Sequence, residues 1–180
     1  QGILDKADGK PFYVEEIVRM LIDRGALIPA ATSAWGVAPE WEQSEELRDP
    51  VIPDTVQGVL AARLDLLPPA ERDVLQHAAV IGRYFWPGAL LYLAQHLRAD
   101  ELDIALRSLS AKDLIHPSER AFASLTAPGE TTYTFNHALT REVVYLAIPR
   151  TRRAQEHQRI AERLQRLSRS RPGQFAELLA

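Results

Sequence analysis

Gly9 and Lys10 stand side by side, as a glycine and lysine do at the end of a phosphate-binding loop of the form Gly-x4-Gly-Lys-Ser/Thr. That loop needs its first glycine so that backbone N–H groups can cradle phosphate, and its terminal hydroxyl to hold magnesium. Here the residue five before Gly9 is Leu4, and the residue after Lys10 is Pro11. Nor does an apolar strand end in paired acids that would serve as the metal-binding partner. The sequence therefore carries no nucleotide-hydrolysing core. The histidines, His77, His96, His116, His137 and His157, are far apart and show no His-Glu-x-x-His or comparable ligand spacing. Cysteine is absent, so no thiolate metal site or disulfide exists, and there is no Gly-x-Ser-x-Gly elbow.

Two features keep chemical interest. In Gly9-Lys10-Pro11 the glycine lets backbone approach a flat ligand, and the proline offers an apolar surface with no competing donor. The same tripeptide is also an ordinary way to open a helix. His137 falls between a β-type segment and a helix, where imidazole can donate a hydrogen bond to phosphate. A histidine there equally serves as a local cap or a partly buried polar residue.

The elements that must position these residues are punctuated by proline. Pro11 opens a helix, PFYVEEIVRMLIDRG, whose Val14, Ile17, Val18, Leu21 and Ile22 form one apolar stripe. Glu15 and Glu16 are expected to suit its positive N-terminal end, and Gly25 stops it. Residues 26–53 read as an irregular or hairpin-like connector, with Leu27-Ile28 and 34–37 as short strands and Trp35 and Trp41 folded back. Asp54 is expected to cap a second helix with Val56, Val59, Leu60, Leu64 and Leu67 inward. A third helix follows Pro68-Pro69, a fourth runs from Pro87 to near Leu97, and Asp100 caps a fifth. Two β-type segments, 114–116 and 131–135, precede helices over 138–148 and 151–168, the last with Ala154, His157, Ile160, Ala161, Leu164 and Leu167 on one face. Pro172 is expected to begin another helix.

Three helices and a β-hairpin is the element order of a winged helix, a fold that often binds DNA. Charge argues against that use. The helix that would enter the major groove, ADELDIALRSLSAKD, carries four acids against Arg107 and Lys112, and would repel phosphate. The arginine-rich stretch 150–171, with eight arginines against Glu156 and Glu162, is read as a solvated or inter-helix face. At 46% hydrophobic and 25% charged the chain is globular in composition, and no 18-residue apolar run would span a membrane. Gln1 is not a natural initiator, so the chain reads as part of something longer, and the lack of cysteine suits a reducing, cytoplasmic setting.

Three strings carry a family resemblance: DGKPFYVEEIVRML, IPDTVQGVLAARLDLLPPAERDVLQHAAVIGRYF and YTFNHALTREVVY. In this order they resemble blocks of STAND-type ATPases, a branch of the AAA superfamily. The likeness is strongest to modules of bacterial signalling regulators of the class III adenylate/guanylate cyclase-associated or LuxR type. The resemblance implies a mainly α chain: a helical lid over 1–67, a winged helix over 68–148, and over 149–180 a helix leading into a TPR-like array. It implies that Gly9, Lys10 and Pro11 lie beside the adenine of ATP or ADP, with Lys10 replacing the family's usual asparagine. It implies that His137 touches the β-phosphate of ADP. Magnesium and catalysis would belong to a P-loop core that this chain lacks, so the chain itself would be no enzyme. Its partners would be that core, downstream helical repeats and a protein effector. A protein-interaction module without nucleotide contact, and a DNA-binding winged helix, are the alternatives.

Overall fold

The computed structural model describes residues 11–29, 35–39, 53, 55–118, 126 and 129–170. Gly9, Lys10, Trp41, Asp54 and the helix expected at Pro172 lie outside them. The described chain is mainly helical, with seven helices and two small antiparallel sheets. It divides into two compact units, Gln1–Leu67 and Pro68–Ala180.

The first unit packs α1 (Pro11–Asp23) against α2 (Val56–Asp65). Tyr13, Ile17, Met20, Leu21, Ala26 and Val59 form its core, with Val14 only partly buried. The buried stripe is thus rotated toward Tyr13 and Met20 from the one expected. Gly25, at φ 73°, ends α1: Ala26 N–H donates to Leu21 O and Gly25 N–H to Ile22 O, both at 2.8 Å. This closure satisfies carbonyls that the helix end would leave bare. Strands β1 (Leu27–Pro29) and β2 (Trp35–Val37) then pair antiparallel, Ile28 opposite Gly36. Trp35 does not fold back; it is 54% exposed. The cap of α2 is Thr55, whose hydroxyl accepts from Gly58 N–H at 3.1 Å.

Glu15 and Glu16 lie past the first turn of α1 and serve other ends than its dipole. Glu15 pairs with Arg19 one turn on. Glu16 is buried, and with Asp23 it receives Arg63 of α2: Arg63 NH1 to Glu16 Oε2 is 2.6 Å, and Nε to Asp23 Oδ2 is 2.8 Å. Arg63 therefore answers to acids of its own unit, while Glu71 is bonded by Ser108 and Lys112.

In the second unit α3 (Pro69–Ile81) packs against four other helices: α4 (Pro87–Leu93), α5 (Ala99–Ala111), α6 (Ala138–Ala147) and α7 (Arg150–Ser170). The sheet has three strands, one more than the sequence suggests. Strand β3 (Tyr84–Phe85) joins β5 (Thr132–Phe135), which pairs in turn with β4 (Ile115–Ser118), giving the order β3-β5-β4. Tyr84 stands opposite Thr134, and Ile115 opposite Phe135. Two residues are too short to show alternation, which is why β3 is silent in the sequence. Its Phe85 is fully buried and rests on Phe135, ring centroids 5.4 Å apart.

Helix α4 stops at Leu93, not near Leu97, because Ala94 turns to φ −88°, ψ 63°. Helix α5 starts one residue before Asp100: Arg98 holds the cap position, its N–H donating to Glu101 Oε2 at 2.9 Å. It ends on Asp113, a non-glycine residue at φ 58° that Asn136 ties down through its side-chain amide. On α7, Glu156 and Ile160 are buried, while Ala154, His157 and Ala161 are exposed.

Candidate functional site

Of the residues that sequence singles out for nucleotide, Gly9 and Lys10 lie outside the described residues. Pro11 is the exposed first residue of α1, in the first unit. His137 is in the second unit, where it follows β5 and occupies the cap position of α6 with extended backbone (φ −129°, ψ 138°). Its carbonyl accepts from Thr140 N–H at 3.1 Å, but its imidazole makes no capping hydrogen bond. The cap thus engages its backbone and not the ring. The half-buried ring stands at the C-terminal end of the sheet's central strand.

The residues around His137 are tightly placed. Asn136 bonds the side chains of Asp113 and His116, which fixes the end of β5. Thr140 and Val144 bury the inner face of α6. Arg141 donates from Nε to Ala79 O of α3 at 3.1 Å. Glu142 is exposed.

The densest group of titratable side chains lies elsewhere, between α3 and α7. His77 Nδ1 is 3.1 Å from Glu156 Oε2, and its Nε2 is 3.2 Å from Asp73 Oδ2. Arg152 reaches both acids: NH2 to Asp73 Oδ1 at 2.6 Å and Nε to Glu156 Oε1 at 2.7 Å. Its NH1 donates to Gln76 Oε1 at 2.8 Å. His96, largely exposed, stands 3.1 Å from Asp73 Oδ2. That oxygen is buried, and His77 and His96 both stand within ion-pair distance of it.

The electrostatics follow from this geometry. Both ring nitrogens of His77 face carboxylates, so both must carry hydrogen for each contact to be attractive. Burial alone would lower the His77 pKa, but Asp73 and Glu156 outweigh it and raise it. Burial alone would raise Asp73 and Glu156, but the His77 imidazolium and Arg152 guanidinium hold both below the usual carboxylate range. Two acids and two cations balance.

His77 is nearly inaccessible, with only 5% of its side chain exposed, so no substrate can reach it. The cluster fastens α7 to α3. It has a signal in the sequence that periodicity of apolar residues misses: Asp73 and His77 are four apart on one helix, and Arg152 and Glu156 four apart on another. Among the described residues no group of three or more His, Asp or Glu could hold a metal ion, and no helix is long and apolar enough to cross a membrane.

Comparison with known proteins finds no matching family model, no matching curated protein and no matching solved structure. The family resemblance rests on the three strings alone.

Proposed function

We propose that this chain is the regulatory segment of a nucleotide-switched signalling ATPase, a lid and a winged helix that close over ATP or ADP bound by a P-loop core this chain does not carry. One observation carries the reading. In Phe-Asn-His-Ala-Leu the strand β5 ends on a buried Phe135, Asn136 is pinned by Asp113 and His116, and the backbone of His137 caps α6. An imidazole held this way on a rigid strand–helix junction suits a contact with phosphate.

The helix–strand–helix–helix–strand–strand order with strands arranged β3-β5-β4 supports the winged-helix part of the proposal. The outer face of α5 argues against DNA, since Asp100, Glu101 and Asp103 are exposed there and Arg98 and Arg107 are engaged by Asp100 and Asp103. Ligand-dependent closure would bias a two-state arrangement, with hydrolysis left to the core.

The test is ADP affinity in a polypeptide that joins a P-loop core to this chain, with and without His137→Ala. Loss of one charge-assisted or neutral hydrogen bond to phosphate should weaken ADP by about tenfold. Equal affinities would remove His137 from the nucleotide site and leave the protein-interaction reading.

A further inference from the structure

We propose that Arg159, Arg163 and Arg166 of α7, gathered over Tyr92 of α4, form a binding site for a doubly charged phosphate monoester group. The inference stands apart from the nucleotide reading and uses none of its residues.

All three guanidinium carbons lie within 6 Å of one phenol ring: 5.8 Å for Arg159, 4.9 Å for Arg163 and 5.6 Å for Arg166. The spacing 159, 163, 166 puts them on one face of the helix. Arg159 NH2 donates to Tyr92 O at 2.9 Å, and Arg166 NH2 to the Tyr92 hydroxyl. Among the described residues, ion pairs of this unit engage Arg98, Arg107, Lys112 and Arg152, and none engages these three. Glu130 approaches the neighbourhood: a Cβ on Gly88 would stand 3.0 Å from its Oε1 and 3.5 Å from Arg163 NH2. That Oε1 accepts from Gly88 N–H, which turns it toward the start of α4.

Two physical facts call for an anion here. Three like charges surround one aromatic ring, whose weak negative quadrupole offsets only part of their repulsion. Arg163 Nε is buried and donates to no acceptor. A buried guanidinium N–H without a partner is costly, and an anion at the NH1 and NH2 end of the group would offset that cost by charge.

The compactness of the cluster chooses the anion. A monoester phosphate carries close to two charges and three acceptor oxygens at one point, matching several guanidinium forks at once. An acidic peptide or a phosphodiester backbone spreads single charges along its length and would meet cations spread likewise. Tyr92 would hold the three side chains in place before the ligand arrives.

The experiment is calorimetric titration of the full chain with inorganic phosphate and with O-phosphoserine, at constant ionic strength set by chloride and at a pH where both probes are doubly charged, which for inorganic phosphate lies well above the ester's second pKa of about 6. Both probes are expected to bind saturably, and Arg163→Gln to weaken them by about tenfold or more. Arg166→Gln, at an exposed position, serves as the second variant should Arg163→Gln fail to fold, and is expected to weaken both probes too. Binding of phosphoserine but not of free phosphate would still support the site and place its ligand on an organic ester. No heat beyond chloride controls, unaltered affinity in a folded Arg163→Gln or Arg166→Gln, or tighter binding of a single-stranded oligonucleotide with a steep salt dependence would each overturn the proposal.

Discussion

At the scale of single residues, His77 sets how the second unit responds to pH. Its pKa is raised in the folded chain, so its stabilising contribution is complete below the unfolded histidine value near 6.5 and disappears as pH rises through the higher folded value. Asp73 and Glu156 are held low, so their contribution is complete above the ordinary carboxylate range and is lost as pH falls through the depressed values. The α3–α7 joint is therefore tightest between these limits. Urea unfolding followed at several pH values should show the midpoint falling from neutral toward alkaline conditions, and His77→Gln should flatten that limb while lowering the midpoint at neutral pH. His96→Ala is the necessary control, since His96 shares Asp73 Oδ2 from an exposed position. A slope that survives in His77→Gln would assign the pH response to other groups. This group is hidden from a reading based on apolar stripes because its members are polar yet buried. Of the stripe expected on α7, Ile160 is buried and Leu164 packs on the same cluster, but Ala154, His157 and Ala161 are exposed and Glu156 is buried in their stead. His157 instead meets the Tyr145 hydroxyl at 2.9 Å on the exposed side. Arg63 teaches the same lesson in the first unit: its inward position is legible from spacing, its partners Glu16 and Asp23 are not, since they lie some forty residues away in sequence.

At the scale of elements, helix starts marked by Pro11, Pro69 and Pro87 are legible because proline lacks the N–H that a first turn leaves unused. Ends and caps are less so, because several neighbouring residues compete for each. Near the start of α2 both Asp54 and Thr55 are chemically able to cap, and Thr55 has the bond. Its partner Gly58 is required by space as well: a Cβ there would come 2.7 Å from the Pro53 Cβ, and Tyr13 of α1 reaches the Pro53 carbonyl with its hydroxyl. The start of α2 is thereby tied to the core of the unit. Thr55→Ala should cost about 1 kcal/mol, and Thr55→Asp should retain most of it by offering an equivalent acceptor. Thermal or urea unfolding of the two variants beside the parent makes the comparison, and equal loss in both would show that the hydroxyl bond is not what holds this end. For α5 a glycine would be the ordinary residue at the left-handed position after the helix. Asp113 occupies it because Asn136, at the end of the neighbouring strand β5, bonds its carboxylate, a long-range reason that no local pattern displays.

At the scale of the whole chain, each unit has its own means of closure. In the second, Leu75, Phe85, Leu90, Leu102, Leu106, Leu109, Ile115 and Ile148 are all but fully buried within 68–180. Trp86, Ala89, Leu93 and Ile160 join α4 to α7 as a further apolar cluster. The charged partners also close on themselves: Asp73, His77, Arg152 and Glu156 balance, and Glu71 is met by Lys112 and Ser108. No buried charge of these groups waits for residues 1–67, and a segment of this length is large enough to bury most of its apolar surface alone. Residues 68–180 expressed without the first unit should therefore unfold in urea in one cooperative step, with an m-value of about 1–3 kcal/mol/M and coincident helical and aromatic signals. Their pH response should keep the alkaline limb assigned to His77, because every member of that cluster is retained. A gradual, probe-dependent melt would mean that the first unit completes the second. A cooperative melt that lacks the alkaline limb would separate the two ideas, leaving the unit autonomous and the His77 joint without its predicted weight.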